Sequence, residues 1–239
     1  MANIAIVFAG GTGTRMNTKS KPKQFLELHG KPILVYTLEE FNNHPEIDGI
    51  ILVVLNEWID YCKVLISKFG LYKVKEIIVG GATALESQKR GLEKACELYE
   101  KDTIDIIHNG VRPLIDAETI SKNIASVKKN GTAITATPAI ETITINKENN
   151  EVGQIIERSK VQMAKAPQSF KLGELWEVHC RAEHDHKVFI DSASMMQYYG
   201  YSLFIVEGKP ENIKITTPSD FYMFRALVDA RENSQIFGL

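Results

Sequence analysis

Short apolar runs alternate along the first half of the chain with longer segments in which apolar residues recur every three or four positions. The runs are of strand length and cover residues 3–8, 49–55, 74–79, 104–108 and 133–137. The longer segments predict helices over residues 32–41, 57–69, 86–99 and 117–129. Unbroken apolar runs are typical of strands buried on both faces. The alternation therefore predicts an α/β fold, with a mostly parallel twisted sheet and helices on both faces.

The pattern changes between about residues 139 and 163. Polar and apolar residues alternate over 141–146, a polar turn follows at 147–150, and a second extended stretch covers 153–158. These features predict a two-stranded β-arm that protrudes from the sheet. Because an isolated hairpin is marginally stable in water, we expect the arm to pack on a second subunit of a homodimer.

After the arm, the pattern predicts a strand over 164–170, helices over 172–183 and 192–199, short strands over 202–207 and 212–216, and a helix over 218–233. The chain contains no internal repeat, low-complexity segment or linker-like stretch. We therefore predict a single Rossmann-like domain over residues 1–239, with the arm as an extension of it.

Composition excludes several classes of partner. With 44% hydrophobic residues, 24% charged residues and a net charge of -2 over 239 residues, the chain is typical of soluble globular proteins and offers no general attraction to nucleic acid. No apolar run reaches the length of a membrane span. The three cysteines, Cys62, Cys96 and Cys180, lack the spacing of a zinc site or a disulfide framework. Without a leader-like N-terminal segment, the expectation is a cytoplasmic protein.

A glycine-rich loop leaves the end of the first predicted strand. Glycines allow backbone N–H groups to approach an anion closely, and phosphate is the natural ligand of such a loop. Two cations, Arg15 and Lys23, lie on the same loop. A dinucleotide fingerprint would need glycine where Met16 stands, and a P-loop would need a Gly-Lys-Ser or Gly-Lys-Thr that the chain lacks. A tight turn with solvated basic residues remains an alternative.

The loop sequence A-G-G-x-G-x-R-M, followed by P-K-Q-F-L, resembles that of cytidylyltransferases acting on small polyol phosphates. Two related groups share it, the ribitol-5-phosphate and the methylerythritol phosphate cytidylyltransferases. The resemblance implies that a phosphate oxygen of the acceptor attacks the α-phosphorus of CTP and expels pyrophosphate, with Mg²⁺ as cofactor. It assigns catalysis to Arg15 and Lys23. It assigns nucleotide binding to Ala9, Gly10, Gly11, Gly13, Gly81, Ala82 and Ser87.

Further segments that match the family supply residues expected to position the acceptor. These residues are Asn109, Arg112, Thr142, Arg158 and Lys214. In the family, the arginine of the arm reaches across a dimer. Asn109 stands where the family has aspartate, and a neutral amide is a poor magnesium ligand but a good hydroxyl partner. We therefore expect no metal-ligating side chain.

Other departures from the family pattern are Ala84, near the place of a common arginine, and Ala166, where threonine is common. Asp191 precedes a predicted helix and is expected to cap it or to orient a ligand. The doubled glycine of the first loop and the phrase G-V-R-P at 110–113 favour ribitol 5-phosphate as acceptor. The alternatives are 2-C-methyl-D-erythritol 4-phosphate as acceptor, a non-catalytic nucleotide-binding regulator on the same scaffold, and a dehydrogenase.

Overall fold

The computed structural model describes residues 1–11 and 21–237, with side chains described as far as residue 233. The α-helices within these residues are α1 Ile33–Asn43, α2 Ile59–Lys68, α3 Ala84–Leu98, α4 Ala117–Asn130, α5 Leu172–His184, α6 Ser192–Tyr198 and α7 Pro218–Phe237. The strands are β1 Asn3–Phe8, β2 Glu27–Leu28, β3 Lys31–Pro32, β4 Gly49–Val54, β5 Val74–Val79, β6 Ile104–Asn109, β7 Thr132–Pro138, β8 Ile143–Asn146, β9 Val152–Ile156, β10 Gln162–Lys171 and β11 Ile205–Glu207.

Seven strands form the central sheet in the order β11-β7-β10-β6-β1-β4-β5. Neighbouring strands are parallel except around β10, which runs antiparallel to both β6 and β7. The predicted α/β fold with a mostly parallel sheet is confirmed. The antiparallel β10 follows from the arm, because the chain leaves β7, forms β8 and β9, and returns beside β7 in the opposite direction.

Apolar side chains cover both faces of the sheet, as the unbroken runs predict. In β1, Ala5 and Val7 face one apolar core and Ile4 and Ile6 face the other, because successive strand residues point to opposite faces. The first core is covered by α1, α2 and α4, and the second by α3, α5 and α6. A third, smaller core joins α7 to the segment around Ile215.

Local chemistry explains where several elements begin and end. The side chains of Thr83 and Asp116 cap α3 and α4 by accepting N–H groups of the first turn. Helix α4 ends at Gly131, whose φ of 85° is left-handed. The turn between β2 and β3 has positive φ at His29 and Gly30, 51° and 73°, which is the geometry of a tight hairpin turn that the sequence analysis did not predict.

The C-terminal strands differ from their prediction. Only 205–207 of the predicted strand over 202–207 form a strand of the sheet. Before it, the hydroxyl of Thr132 donates to the backbone carbonyl of Ser202 and accepts the N–H of Phe204. The strand predicted over 212–216 is wrong. That segment is an extended connection, tied to the fold by the N–H of Ile215, which donates to the carbonyl of Val111.

The predicted arm is confirmed as an antiparallel hairpin of β8 and β9. Several of its apolar side chains are open to solvent, with Ile145 52% and Ile155 67% exposed. Ile140, at the base of the arm, is 73% exposed. Among the described residues, none of the helices has the length and the apolar composition of a membrane span.

Candidate active site

Two adjoining cavities open at the carboxyl ends of β1 and β6, the edge at which ligands bind in open α/β sheets. The first, here called the glycine cavity, has a volume of about 370 Å³ and lies between the loop after β1 and the turn before α3. The second, the cation cavity, has a volume of about 280 Å³ and lies between β6, β10 and the start of α6. Both are lined by Phe8, Ala84, Asn109 and Lys214.

The glycine cavity brings together most of the predicted nucleotide-binding residues. Its lining includes Ala9, Gly10, Gly11, Gly81, Ala82, Ser87 and the predicted catalytic Lys23. Gln24, which follows Lys23, is only 1% exposed. Its side-chain amide donates to the carbonyls of Ala9 at 2.5 Å and of Gly11 at 3.2 Å. Gln24 therefore fixes the start of the glycine-rich loop, a role that the sequence motif did not indicate.

The N–H groups of the turn before α3 are engaged by side chains of the same segment. The N–H of Gly81 donates to Ser87 Oγ at 3.0 Å, and the N–H of Ala82 donates to a carboxylate oxygen of Glu86 at 2.9 Å. This bond, together with Arg90, holds the pKa of Glu86 below its ordinary value. A Cβ on Gly81 would lie 2.4 Å from side-chain atoms of Glu86, so only glycine fits there.

The cation cavity is lined by Arg112, Lys165 and Lys214. Arg112 donates from Nη1 to the carbonyl of Asn212 at 2.7 Å and from Nε to Asn109 Oδ1 at 3.4 Å. Burial lowers the pKa of Arg112 to about 10. The arginine nevertheless stays charged at neutral pH, so the cavity holds a largely buried positive charge against amide oxygens.

Behind this cavity, His108 is fully buried and donates from Nε2 to the carbonyl of Arg112 at 3.2 Å. Burial lowers the pKa of His108 to about 3, so the ring is neutral at physiological pH. The imidazole therefore holds the backbone of Arg112 in place and supplies no proton.

Hydrogen-bonding side chains form the opposite wall of the cation cavity. Asp191 caps α6 by accepting the N–H of Ser194 at 2.9 Å, and its other oxygen accepts the amide of Gln168 at 2.9 Å. Gln88 donates to Ser192. The capping role predicted for Asp191 is confirmed. The sequence analysis did not select four further residues that line this cavity, Gln88, Lys165, Gln168 and Ser192. The nearest signals in the sequence were Ala166 and Asp191, which lie close to Gln168 and Ser192 along the chain.

A comparison of the sequence with known protein families shows the family to which the chain belongs. The sequence profile of 2-C-methyl-D-erythritol 4-phosphate cytidylyltransferase matches residues 3–230, nearly the whole chain. The chain belongs to this cytidylyltransferase family. Its members are CTP-dependent nucleotidyltransferases, and the predicted resemblance is confirmed.

Several curated relatives match the chain over its whole length. A ribitol-5-phosphate cytidylyltransferase of Streptococcus agalactiae is 48% identical over 100% of both chains. One of Vibrio parahaemolyticus is 47% identical over 99% of this chain and 100% of its own. A 2-C-methyl-D-erythritol 4-phosphate cytidylyltransferase of Alkaliphilus metalliredigens is 38% identical over 96% of this chain and 94% of its own.

Solved structures agree with the fold. The 4-diphosphocytidyl-2C-methyl-D-erythritol synthase of Anaerococcus prevotii superimposes with a TM-score of 0.81 at 26% identity, covering 95% of this chain and 98% of that one. The fold is thus that of a cytidylyltransferase.

Two of the predicted site residues that the structure describes lie away from the two cavities. Thr142 and Arg158 lie at the base of the arm, exposed to solvent, and line neither cavity. Arg158 instead donates to the carbonyl of Ile140 at 3.3 Å. Gly13 and Arg15 lie outside the described residues, so their assignment stays a prediction.

Proposed function

We propose that the protein transfers CMP from CTP to D-ribitol 5-phosphate, giving CDP-ribitol and pyrophosphate. The observation that carries the choice of acceptor is the whole-length identity of 47–48% to proteins named ribitol-5-phosphate cytidylyltransferase, against 38% to one named for methylerythritol phosphate. The paired cavities support the same reaction, because one offers backbone and a cation for a nucleotide and the other offers cations and amides for a polyol phosphate.

The reaction needs the two ligands to meet where the cavities join. An oxygen of the acceptor phosphate forms a bond to the α-phosphorus of CTP, and the bond from the α-phosphorus to the bridging oxygen breaks, so that pyrophosphate leaves with the electron pair. Asn109 and Lys214 line both cavities and therefore lie at this junction. Because the attacking phosphate is already ionised, position and charge stabilisation are the protein's task.

Lys23 is our choice for stabilising the negative charge that builds on the α-phosphoryl group and on the departing pyrophosphate. It lines the glycine cavity beside the loop that Gln24 fixes. Arg15 is proposed to act with it from the same loop. Loss of such a preorganised cation costs on the order of a hundredfold in rate. A regulator without catalysis would show no pyrophosphate release that depends on Lys23, so comparing wild type with Lys23→Ala separates the two functions.

Magnesium is proposed as the cofactor, held by the triphosphate rather than by protein carboxylates. Among the described residues that line the cavities, Asp191 is the one acidic side chain, and both its oxygens are engaged by Ser194 and Gln168. The residues that line the cavities therefore fit a Mg²⁺ ion that binds together with the nucleotide and keeps water among its ligands. Turnover should stop in EDTA and return with added Mg²⁺.

The test of the acceptor is pyrophosphate release with CTP and Mg²⁺, comparing D-ribitol 5-phosphate with 2-C-methyl-D-erythritol 4-phosphate. We expect turnover with ribitol phosphate and little with methylerythritol phosphate. The reverse preference would instead support the alternative reaction, with 2-C-methyl-D-erythritol 4-phosphate as acceptor. Absence of turnover with both acceptors would refute the proposed reaction. An NAD fluorescence titration without a change would remove the dehydrogenase alternative.

A homodimer through the β-arm is also proposed. The arm exposes Ile145, Val152 and Ile155 to solvent in the single chain, and a second subunit would cover them. Arg158 lies at the base of the same arm and lines neither cavity of its own chain. In the dimer it would contact the acceptor bound to the second subunit. Sedimentation should give twice the chain mass of 26.8 kDa. A monomer under turnover conditions would exclude this arrangement.

We further propose that the protein works in the cytoplasm and that its product supplies ribitol phosphate units to a wall or capsule polymer. An activated CDP-polyol is the form of substrate that a polymerising phosphotransferase consumes. Deleting the gene should remove ribitol from the surface polymer, measured in hydrolysed envelopes. Unchanged ribitol content would contradict this role.

A further inference from the structure

Lys165 lines the cation cavity, and neither the sequence motifs nor the family comparison singled it out. It lies in β10, where the pairing with β7 shifts register between Ala164 and Gln168. In a regular strand successive side chains point to opposite faces, but a bulge re-aims them. Ala164, Lys165 and Ala166 all line the cation cavity as a result. The irregularity therefore turns a lysine into the cavity.

Lys165 and Arg112 are held by the same short segment. Lys165 Nζ donates to the carbonyl of Pro210 at 2.9 Å and lies 3.5 Å from the carbonyl of Asn212, which also accepts Arg112 Nη1 at 2.7 Å. Asn212 is 2% exposed, and its side-chain amide donates to the carbonyl of Ala166 at 2.7 Å, so the shared oxygen is fixed in place. The two cations are thus neighbours on a rigid support.

The oxygens that hold these cations are all uncharged. Within the described part of the chain, Arg112 and Lys165 donate hydrogen bonds to carbonyl and amide oxygens, with no carboxylate among the acceptors. Burial lowers the pKa of Lys165, and the charge of Arg112 lowers it further. The charge of Glu211 acts in the opposite direction and raises this pKa. Two like charges in a half-buried cavity are unfavourable by themselves and become favourable when an anion binds between them.

We propose that Lys165 binds the phosphate of the acceptor together with Arg112 and is a determinant of acceptor affinity. The ammonium group has three donors, and the carbonyls of Pro210 and Asn212 use at most two of them. The third is available to a phosphate monoester. The hydroxyl chain then lies along Gln168 and Ser192 on the opposite wall. This inference rests on the proposed function, in that the acceptor is a polyol phosphate.

The alternative is that Lys165 only ties the 210–212 segment to β10. A tether would affect both substrates, because Lys214 follows directly on that segment and lines both cavities. A phosphate ligand affects the acceptor alone. The KM values for the two substrates therefore separate the two roles.

The experiment compares wild type with Lys165→Met, Lys165→Arg and the control Lys171→Met, which removes a lysine from the far end of the same strand and outside both cavities. We expect Lys165→Met to raise the KM for ribitol 5-phosphate by roughly tenfold to a hundredfold, the effect of losing a charge-assisted bond. The KM for CTP should change less than twofold. Lys165→Arg should recover part of the loss, and Lys171→Met should behave as wild type.

A binding measurement decides the inference even if the turnover assay fails. Calorimetry with inorganic phosphate, in the presence of a CTP analogue with a methylene α–β bridge, should show binding to wild type and to Lys171→Met. Binding to Lys165→Met should be at least tenfold weaker. Equal binding by the three proteins, no binding to wild type, or parallel rises in both KM values would overturn the role of Lys165. Wild type that binds phosphate but turns over neither acceptor would count against the proposed reaction and leave this role standing.

Discussion

Replacing Gln24 by leucine tests whether one buried amide fixes the glycine-rich loop. Leucine is close to glutamine in size, so it removes the two donated hydrogen bonds without leaving a large cavity. The carbonyl of Ala9 is buried, and leaving it unpaired costs about 1–3 kcal/mol, while the more accessible carbonyl of Gly11 loses about 0.5–1.5 kcal/mol. The substitution also removes Gln24 Oε1, a buried oxygen without a partner among the described residues.

Since that last change offsets part of the loss, the net destabilisation is about 2 kcal/mol. For a domain of this size, 1 kcal/mol lowers Tm by about 2–4 °C, so we expect a fall of about 4–8 °C. Loosening the loop should also lower kcat/KM for CTP by about tenfold or more, because small displacements at a reacting centre are costly. Differential scanning calorimetry and initial rates measure the two effects.

The control is Gln197→Leu, an exposed position on α6 where a surface substitution should change stability by less than about 0.5 kcal/mol. A Gln24→Leu protein with the Tm and the kcat/KM of wild type would refute the conclusion that this side chain holds the loop. A lower Tm with unchanged kcat/KM would show that the bond serves stability without positioning the nucleotide site.

Three further substitutions have expected outcomes. Burial raises the pKa of Glu40 from 4.5 to about 7, so the folded protein keeps a proton that the unfolded chain releases, and stability falls as the pH rises through this window. Glu40→Gln should therefore be more stable than wild type by up to about 3 kcal/mol at pH 8 and equal to it near pH 4, in urea titrations at each pH. Asp191→Ala removes the cap of α6 and the partner of Gln168 and should cost about 1–3 kcal/mol, whereas Asp191→Asn, which keeps one acceptor oxygen, should cost less; equal losses in thermal denaturation would contradict this account. Ser87→Ala frees the N–H of Gly81 and should raise the KM for CTP several-fold in steady-state assays, and an unchanged KM would exclude Ser87 from holding that turn.

The central strands could be predicted because their apolar runs reflect burial on both faces. In β1 every position from Ile4 to Val7 is fully buried, so an unbroken apolar run indicates a strand covered on both faces. The strand predicted over 212–216 was wrong because the same apolar alternation there packs Ile215 into the small core under α7 instead of pairing in the sheet. Periodicity reports which side chains are buried, and it does not report which backbone groups pair.

In the candidate site, too, some residues could be selected from the sequence and others could not. Glycine-rich turns and isolated cations are visible in the sequence, and three residues selected there, Lys23, Gly81 and Lys214, line the glycine cavity. Lys165 could not be found because its orientation depends on a shift of register between β10 and β7. The engagement of the N–H groups in the turn before α3 could not be predicted either, since their acceptors, Glu86 and Ser87, become neighbours only when α3 forms.

The most direct test of the account uses D-ribitol 5-phosphate labelled with ¹⁸O in its phosphate oxygens, incubated with CTP, Mg²⁺ and the wild-type protein. Mass spectrometry of the products should find CDP-ribitol that carries the label, including the oxygen that bridges the two phosphorus atoms, and pyrophosphate without label. Label in pyrophosphate, or consumption of CTP without CDP-ribitol, would contradict direct attack by the acceptor phosphate on the α-phosphorus.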